Sequence, residues 1–272
     1  MQDTTHLGYV LVSIFPLSPD HPLQEVLVAL SASGQVNHTA LHTLLQHAHE
    51  PMVSPSTEAT RHLTRGAAYA LLGEETLARH ELLPLLHHAS DLMQTLATLL
   101  LGLLEMVQEQ YLLASEHLGT VLQAYQRDAT LQAHIAYPVL VWVMVSTLIS
   151  LSRWQEAHVL LTEALEVLSL EMESTSTYRP TLAELYAQRG VVLTTMGCQH
   201  RGLLALHQAI AIDPANNRLY KVRGLLYMKL GSWGAAFDDL WRVLCHDSQD
   251  EECADALVNV LERLQASAPH QQ

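Results

Sequence analysis

"LYAQRGVVLTTMGCQHRGLLALHQAIAIDPAN", residues 185–216, is followed after two residues by "LYKVRGLLYMKLGSWGAAFDDLWRVLCHDSQD", residues 219–250. Aligned, Tyr186, Arg189, Gly190 and Gly197 recur as Tyr220, Arg223, Gly224 and Gly231, each thirty-four residues later. Self-similarity at a fixed period marks a chain built from stacked copies of one unit. The two glycines in each copy have separate roles. Gly190 and Gly224 fall inside helical patterns, where glycine costs about 1 kcal/mol against alanine. That cost is tolerable where two helices cross too closely for a side chain. Gly197 and Gly231 fall where the first helix must stop, as C-terminal caps. Ala236 then spaces the second helix against the first, and Leu240 fills the groove between units.

Looser copies lie upstream. "RHLTRGAAYALLGEETLARHELLPLL" repeats the pattern with Arg65, Gly66, Tyr69, Gly73, Ala78 and Leu82. "LLLGLLEMVQEQYLLASEHLGTVL" supplies Gly102, Tyr111, Ala114, Leu118 and Val121. In "LVWVMVSTLISLSRWQEAHVLLTEAL", Trp154, Ala157, Leu161 and Ala164 match the second helix, while Val145 replaces the first helix's glycine. The pattern resembles the tetratricopeptide repeat, a helix–turn–helix unit of the same length with L-G-x-x-Y in its first helix and A-x-x-x-F in its second. The junction "AIDPANNRLY", with Pro214 between units, is similar to that family's linker. Ala114 to Ala157 is forty-three residues, so some helices or turns here are longer than the family's.

The resemblance implies an all-α fold: a right-handed superhelix, or α-solenoid, of about five helix pairs. The units fall near 59–92, 95–128, 138–172, 183–216 and 217–250. Residues 251–266 read as a capping helix with Ala254, Leu257, Val258, Leu261 and Leu264 on its apolar face, because an array must end in a polar outer side. Residues 1–50 read as a poorly matching helix pair, "HPLQEVLVALSA" and "NHTALHTLLQHAHE", turned at Gly34. "PMVSPSTE", 51–58, is a linker by its Pro and Ser content, and 267–272 a flexible tail. "ESTSTYRP", 173–180, reads as an exposed loop between the third and fourth units.

Composition narrows the class of work. The net charge is −14, with 28 acids against 14 bases, which argues against a surface that tracks nucleic-acid phosphates. Charged residues make up only 15%, so several helices should be apolar on more than one side and packed between neighbours. Cys198, Cys245 and Cys253 form no C-x-x-C pair, which points to a reducing cytosolic compartment, or a nuclear one, rather than a disulfide framework. The apolar "LGYVLVSIF" follows "MQDTTH", which has an acid and no Lys or Arg, so the start does not read as a secretory signal.

"IAYPVLVWVMVSTLISLS", 135–152, holds eighteen uncharged residues, the lower edge of a membrane span. Pro138 shortens the run by sitting in a first turn, and Arg153 is a single flanking base. Val141, Val145 and Leu148 keep the repeat's core spacing, which favours the central first helix of the array over a membrane anchor.

Chemistry-bearing motifs are scarce. Seventeen histidines include His38 and His42 on one helix face, and His80 and His87 seven apart. With no H-E-x-x-H and no third ligand at fixed spacing, they read as surface or half-buried helix residues rather than metal ligands. There is no G-x-S-x-G elbow, phosphate-binding loop or dinucleotide glycine pattern. Asp238–Asp239 and Glu251–Glu252 fit solvated faces or a helix N-terminus. The expectation is a non-catalytic chain with no cofactor and no metal.

In the tetratricopeptide-repeat family the first helices line a concave groove that holds partner peptides. On that face the units should present Thr60, Leu63, Ala67 and Ala70, then Leu96, Leu99, Leu103 and Met106, then Val139, Trp142, Ser146 and Ile149. The fourth offers Glu184, Ala187, Val191 and Thr194, and the fifth Arg218, Lys221, Leu225 and Met228. The resemblance thus implies an adaptor or assembly scaffold for a protein or peptide partner, an apolar or amphipathic segment with an acidic tail. Its expected contacts are Leu99, Leu103, Trp142, Leu225 and Met228 as apolar anchors, with Arg218 and Lys221 as a basic end. No Asn lines this face, so the family's carboxylate clamp for chaperone C-termini is not expected. Two further readings compete: a structural subunit that buries these helices in a homo-oligomer or larger complex, and a membrane-associated protein using 135–152.

Overall fold

The computed structural model describes residues 2–16, 21–30, 34–47, 55–170 and 178–267. Among them every regular element is a helix, and one isolated antiparallel β-bridge joins Leu30 to Val36. The chain divides into two compact units, Met1–Ser152 and Arg153–Gln272. That division falls inside the expected third repeat, between its two helices.

The first unit contains α1 (Gln2–Ile14), α2 (Gln24–Val28), α3 (His38–His47), α4 (Pro55–Leu72), α5 (Glu75–Leu82), α6 (Asp91–Val107), α7 (Tyr111–Arg127), α8 (Ala129–Gln132) and α9 (Tyr137–Ser150). A 3-10 turn, Leu83–His87, extends α5. α4 pairs with α5 and α6 with α7, while α9 packs on α7. Within residues 1–50, expected as a helix pair, α2 and α3 fall in the two expected segments, α2 with only five residues, and α1 precedes them as a third helix. Of the expected linker 51–58, residues 55–58 belong to α4, which begins at Pro55, and 51–54 lie outside the described residues.

The second unit runs α10 (Trp154–Leu170), α11 (Arg179–Thr195), α12 (Gln199–Ile212), α13 (Asn217–Lys229), α14 (Trp233–His246) and α15 (Glu251–Ser267). α10 packs on α11, α11 pairs with α12, α13 with α14, and α15 closes on α14. The side chain of Asn216 caps α13 by accepting the Arg218 N–H at 3.1 Å. The break expected at 173–180 lies mostly outside the described residues, and α11 starts at its end, Arg179.

One packing device fixes the register of four pairs. A Cβ on Gly66 would lie 2.6 Å from Leu82 Cγ, and one on Gly190 2.7 Å from Leu206 Cγ. At Gly224 the same distance to Leu240 is 3.0 Å, and at Gly102 it is 3.2 Å to Leu118. The leucine always follows its glycine by sixteen residues, so each first helix is pressed against its second at an equivalent point. Seven residues after each glycine the backbone turns with positive φ: Gly73 (78°), Glu109 (60°), Gly197 (84°) and Gly231 (72°). Ser152 (57°) stands in the same relation to Val145, which replaces the third unit's glycine.

The capping helix departs from its expected face. Cys253, Ala256, Leu257 and Val260 are the residues buried against Ala236, Leu240 and Val243, whereas Val258 (56%) and Leu261 (40%) are exposed. The i, i+3, i+4, i+7 stripe starts one residue earlier than the aliphatic count suggests, because Cys253 acts as a small apolar core residue. Burial also pushes its thiol pKa up to about 11.

Candidate functional site

In the first unit α4, α6 and α9 are the first helices of three successive repeats, and α1 packs on all three. Leu7, Val10, Leu11 and Ile14 of α1, spaced i, i+3, i+4 and i+7, are buried together with Phe15. At roughly 2 kcal/mol for each fully buried aliphatic side chain, this stripe supplies the driving force for seating the helix. Its end is pinned by a backbone bond, Ala136 N–H to the Ile14 carbonyl, at 2.7 Å. His6 approaches Trp142 with ring centroids 6.0 Å apart.

The segment after α1 is held by a histidine. His21 Nε2–H donates to the His134 carbonyl at 3.2 Å, and Nδ1 accepts the Leu23 N–H at 3.1 Å. Its ring lies 5.0 Å from Phe15 and 5.3 Å from His134. Burial lowers its pKa, and the charge of His134 adds to that; the bond to the His134 carbonyl opposes it.

Leu99 and Leu103, expected to line an open groove, have no exposed surface, and Leu63, Ala67, Leu96 and Val139 are buried as well. Trp142 is half-buried beside His6. What stays open is a cleft of about 280 Å³ lined by His6, Met106, Val107, Glu109, Tyr111 and Ser146. α1 is the element that sequence reasoning missed. "LGYVLVSIF" mixes β-branched and aromatic residues, whose local preference is for strand, and has almost no polar side to display a helical period. Its helix is selected by the seat on α4, α6 and α9.

In the second unit the inner helices are α11 and α13, followed by α15. Leu225 and Met228 are half-buried and pack at the margin of the cluster formed by Tyr220, Leu240, Leu257 and Val260. Ala187 is buried, and Val191 and Thr194 are half-exposed. Arg218 and Lys221, read from sequence as a basic end, are both paired inside the chain. The Arg218 guanidinium bonds Glu184, which also accepts from Asn216 Nδ2 at 3.1 Å. Lys221 Nζ lies 2.8 Å from Asp250 and 2.8 Å from Glu252. Burial alone would lower the Lys221 pKa; the hydrogen bonds to the two carboxylates outweigh it and raise it. The same ammonium, with the Cys253 N–H, holds Asp250 below the usual carboxylate range. Glu184, Arg218 and Glu252 occupy one repeat position thirty-four residues apart, so acid, base and acid alternate along this edge. That alternation was the available signal for a neutralised edge.

Buried carboxylates recur between helices. Glu81 receives Arg65 at 2.6 Å and His62 at 2.7 Å, and Glu105 receives His117 at 2.7 Å and Arg79 at 3.2 Å. Asp239 takes two 2.8 Å bonds from Arg223. Asp238 is exposed as expected of a solvated pair, but Asp239 is buried, because Arg223 satisfies its charge. Among the described residues no group of three or more His, Cys, Asp or Glu is placed to hold a metal ion. No helix among them is long and apolar enough to cross a membrane, α9 included.

No protein-family model matches the chain, and no curated protein does. Solved structures do. One is the Cut9–Hcn1 hetero-tetramer of the APC/C, at 17% identity and TM-score 0.59 over 96% of this chain, which spans 47% of that one. Another is YrrB, described as a TPR protein with an unusual peptide-binding site, at 16% identity and TM-score 0.55, covering 80% of this chain and 98% of that one. A MamA structure aligns at 18% identity and TM-score 0.50 over 80% of this chain and 97% of the other. At identities this low the likeness establishes the fold alone.

Proposed function

We propose that this chain, a tetratricopeptide-repeat fold, is a non-catalytic interaction module that docks an amphipathic helix of a protein partner on the inner helices of its second unit. The observation that carries the reading is α1. An apolar helix of this chain already lies on the inner helices α4, α6 and α9 with Leu7, Val10, Leu11 and Ile14 buried, and Phe15 buried just beyond its end. α11 and α13 offer the corresponding face with Val191, Thr194, Leu225 and Met228 incompletely covered. A helix laid in such a groove anchors through a few apolar side chains at i, i+3, i+4 and i+7. Leu225 and Met228 are the proposed anchors. Leu99 and Leu103 are fully buried and Trp142 stands beside His6 of α1, so these three are not the proposed anchors. Because Arg218 and Lys221 are already paired, an acidic tail on the partner adds little, and recognition at this face is apolar.

The test is proximity labelling in cells with wild type and with Leu225→Glu/Met228→Glu, followed by mass spectrometry. A partner set that shrinks in the folded double variant supports the reading. An unchanged set, with the helical circular dichroism also unchanged, sinks it.

The outer face of α15 supports a second reading. Val258 and Leu261 are exposed side by side there, on the side where another repeat would stack. End-to-end self-association through this face would make the chain a structural subunit. Light scattering that stays at monomer mass across a hundredfold dilution series counts against it.

A further inference from the structure

The glycine–leucine contacts make residues in different repeats strictly comparable. Arg65, Arg189 and Arg223 each precede the pressed glycine, and the residue sixteen positions later precedes its leucine. That residue is Glu81 for Arg65 and Asp239 for Arg223, and each pair is an ion pair. For Arg189 it is Ala205. A second acid position is lost in the same place. Glu105, three residues after Gly102, receives Arg79 from the preceding repeat; three residues after Gly190 stands Leu193. The register position of Arg79, thirteen after its unit's Gly66, is filled in the third repeat by His158, thirteen after Val145.

α10, which carries His158, packs on α11, which carries Arg189, and α11 packs on α12, which carries Arg201; neither of the two register positions that hold an acid in the counterparts holds one here. The consequence is visible in single atoms. Arg189 Nε has no exposed surface and no hydrogen-bond partner, and His158 Nδ1 is in the same state; Arg65 Nε shares it, but the Arg65 guanidinium reaches Glu81, a partner that Arg189 lacks at Ala205. Burial lowers the His158 pKa, and the charges of Arg189 and Arg201 lower it further. Elsewhere this chain twice holds a carboxylate between one histidine and one arginine, at Glu81 and Glu105, with bonds of 2.6 to 3.2 Å.

We propose that His158, Arg189 and Arg201 form a carboxylate-binding site that takes an Asp or Glu side chain of a bound protein. Donors of the same types converge on carboxylates at the equivalent junctions, and charge-assisted bonds of this kind are the strong ones. Arg201 is exposed at the rim, and Leu204, one turn along α12, is half exposed (50%), which gives a protein surface an apolar contact beside the acid. The source of the carboxylate rests on the reading of the chain as a protein-interaction module; the anion site does not, and it uses none of the residues of the inner face.

The test follows the His158 ring resonance of the full chain, labelled at histidine, during titration with a blocked Glu-Asp-Glu-Asp tetrapeptide, with acetate and inorganic phosphate as separate arms. The expected result is a saturable shift with the tetrapeptide, weaker by about tenfold in Arg189→Gln, the loss of one charge-assisted contact. Ala205→Asp restores the internal acid, so it should abolish the shift and raise the thermal midpoint. No shift with the tetrapeptide, a shift undiminished in Arg189→Gln, or tighter binding of phosphate than of the tetrapeptide overturns the proposal. Acetate binding as tightly as the tetrapeptide overturns the assignment to a protein side chain. Leu225→Glu/Met228→Glu should leave the titration unchanged, so that partner loss there with the His158 shift intact counts against the inner-face reading alone.

Discussion

The backbone N–H of Ala136 donates to the carbonyl of Ile14 at 2.7 Å, tying the end of the first helix to the start of α9, more than a hundred residues along the chain. α1 is thereby integral to the first unit and not an appendage. Leu11→Ala removes a fully buried side chain from its stripe and should destabilise Met1–Ser152 by about 2–4 kcal/mol. Urea unfolding followed by amide exchange in α6 and α9 checks this. Protection unaffected by the substitution would mean that α1 is not seated as described.

Glu109 carries a φ of 60° at the turn where Gly73, Gly197 and Gly231 stand in other repeats. A side chain in the left-handed region costs about 1–2 kcal/mol that glycine avoids. Glu109→Gly should therefore raise stability by roughly 1 kcal/mol, after allowing for the greater freedom of glycine in the unfolded chain. The measurement is the chemical denaturation midpoint; a lower midpoint would contradict the strain.

Arg223→Ala and Arg189→Ala are equivalent by register and should not be equivalent in effect. The first leaves the buried Asp239 carboxylate unpaired and should cost about 3 kcal/mol or more. The second uncovers no acid, since Ala205 occupies that place, and should cost less than half as much. Equal losses in thermal unfolding would show that the two arginines are not in the same environment.

His21 sets a pH dependence. Its folded pKa is depressed, so on acidification the unfolded chain takes up the proton first, near the ordinary value of 6.5. Its contribution is therefore present above that value, falls as pH drops below it, and levels off below the folded pKa. The stability of the first unit between pH 7.5 and 5 should show this loss, and His21→Gln should flatten the slope. His134 and Phe15 face the ring from 5.3 and 5.0 Å, so His134→Ala is the control for the charge of its neighbour.

The repeats were legible because their signal is steric. Gly190 and Gly224 cannot be replaced without striking Leu206 and Leu240, so glycine spacing records helix crossing directly. The alternation of Glu184, Arg218 and Glu252 was equally present in the sequence, but its meaning depends on which neighbour each side chain reaches. Lys221 looked like a free cation because its acids, Asp250 and Glu252, stand at the start of α15, two helices further on. α1 was the hardest to read. Its conformation is dictated by a surface assembled from α4, α6 and α9, and no window of local sequence contains that surface.

That seat also sets an order of events during synthesis. α1 leaves the ribosome before its seat exists, since the last wall of its pocket, α9, emerges only after another hundred residues and more have been translated. Until then Leu7, Val10, Leu11, Ile14 and Phe15 have no complete place to hide. The nascent chain thus carries an adhesive apolar helix while the segment from α1 to α9 is being made, a natural target for ribosome-associated chaperones.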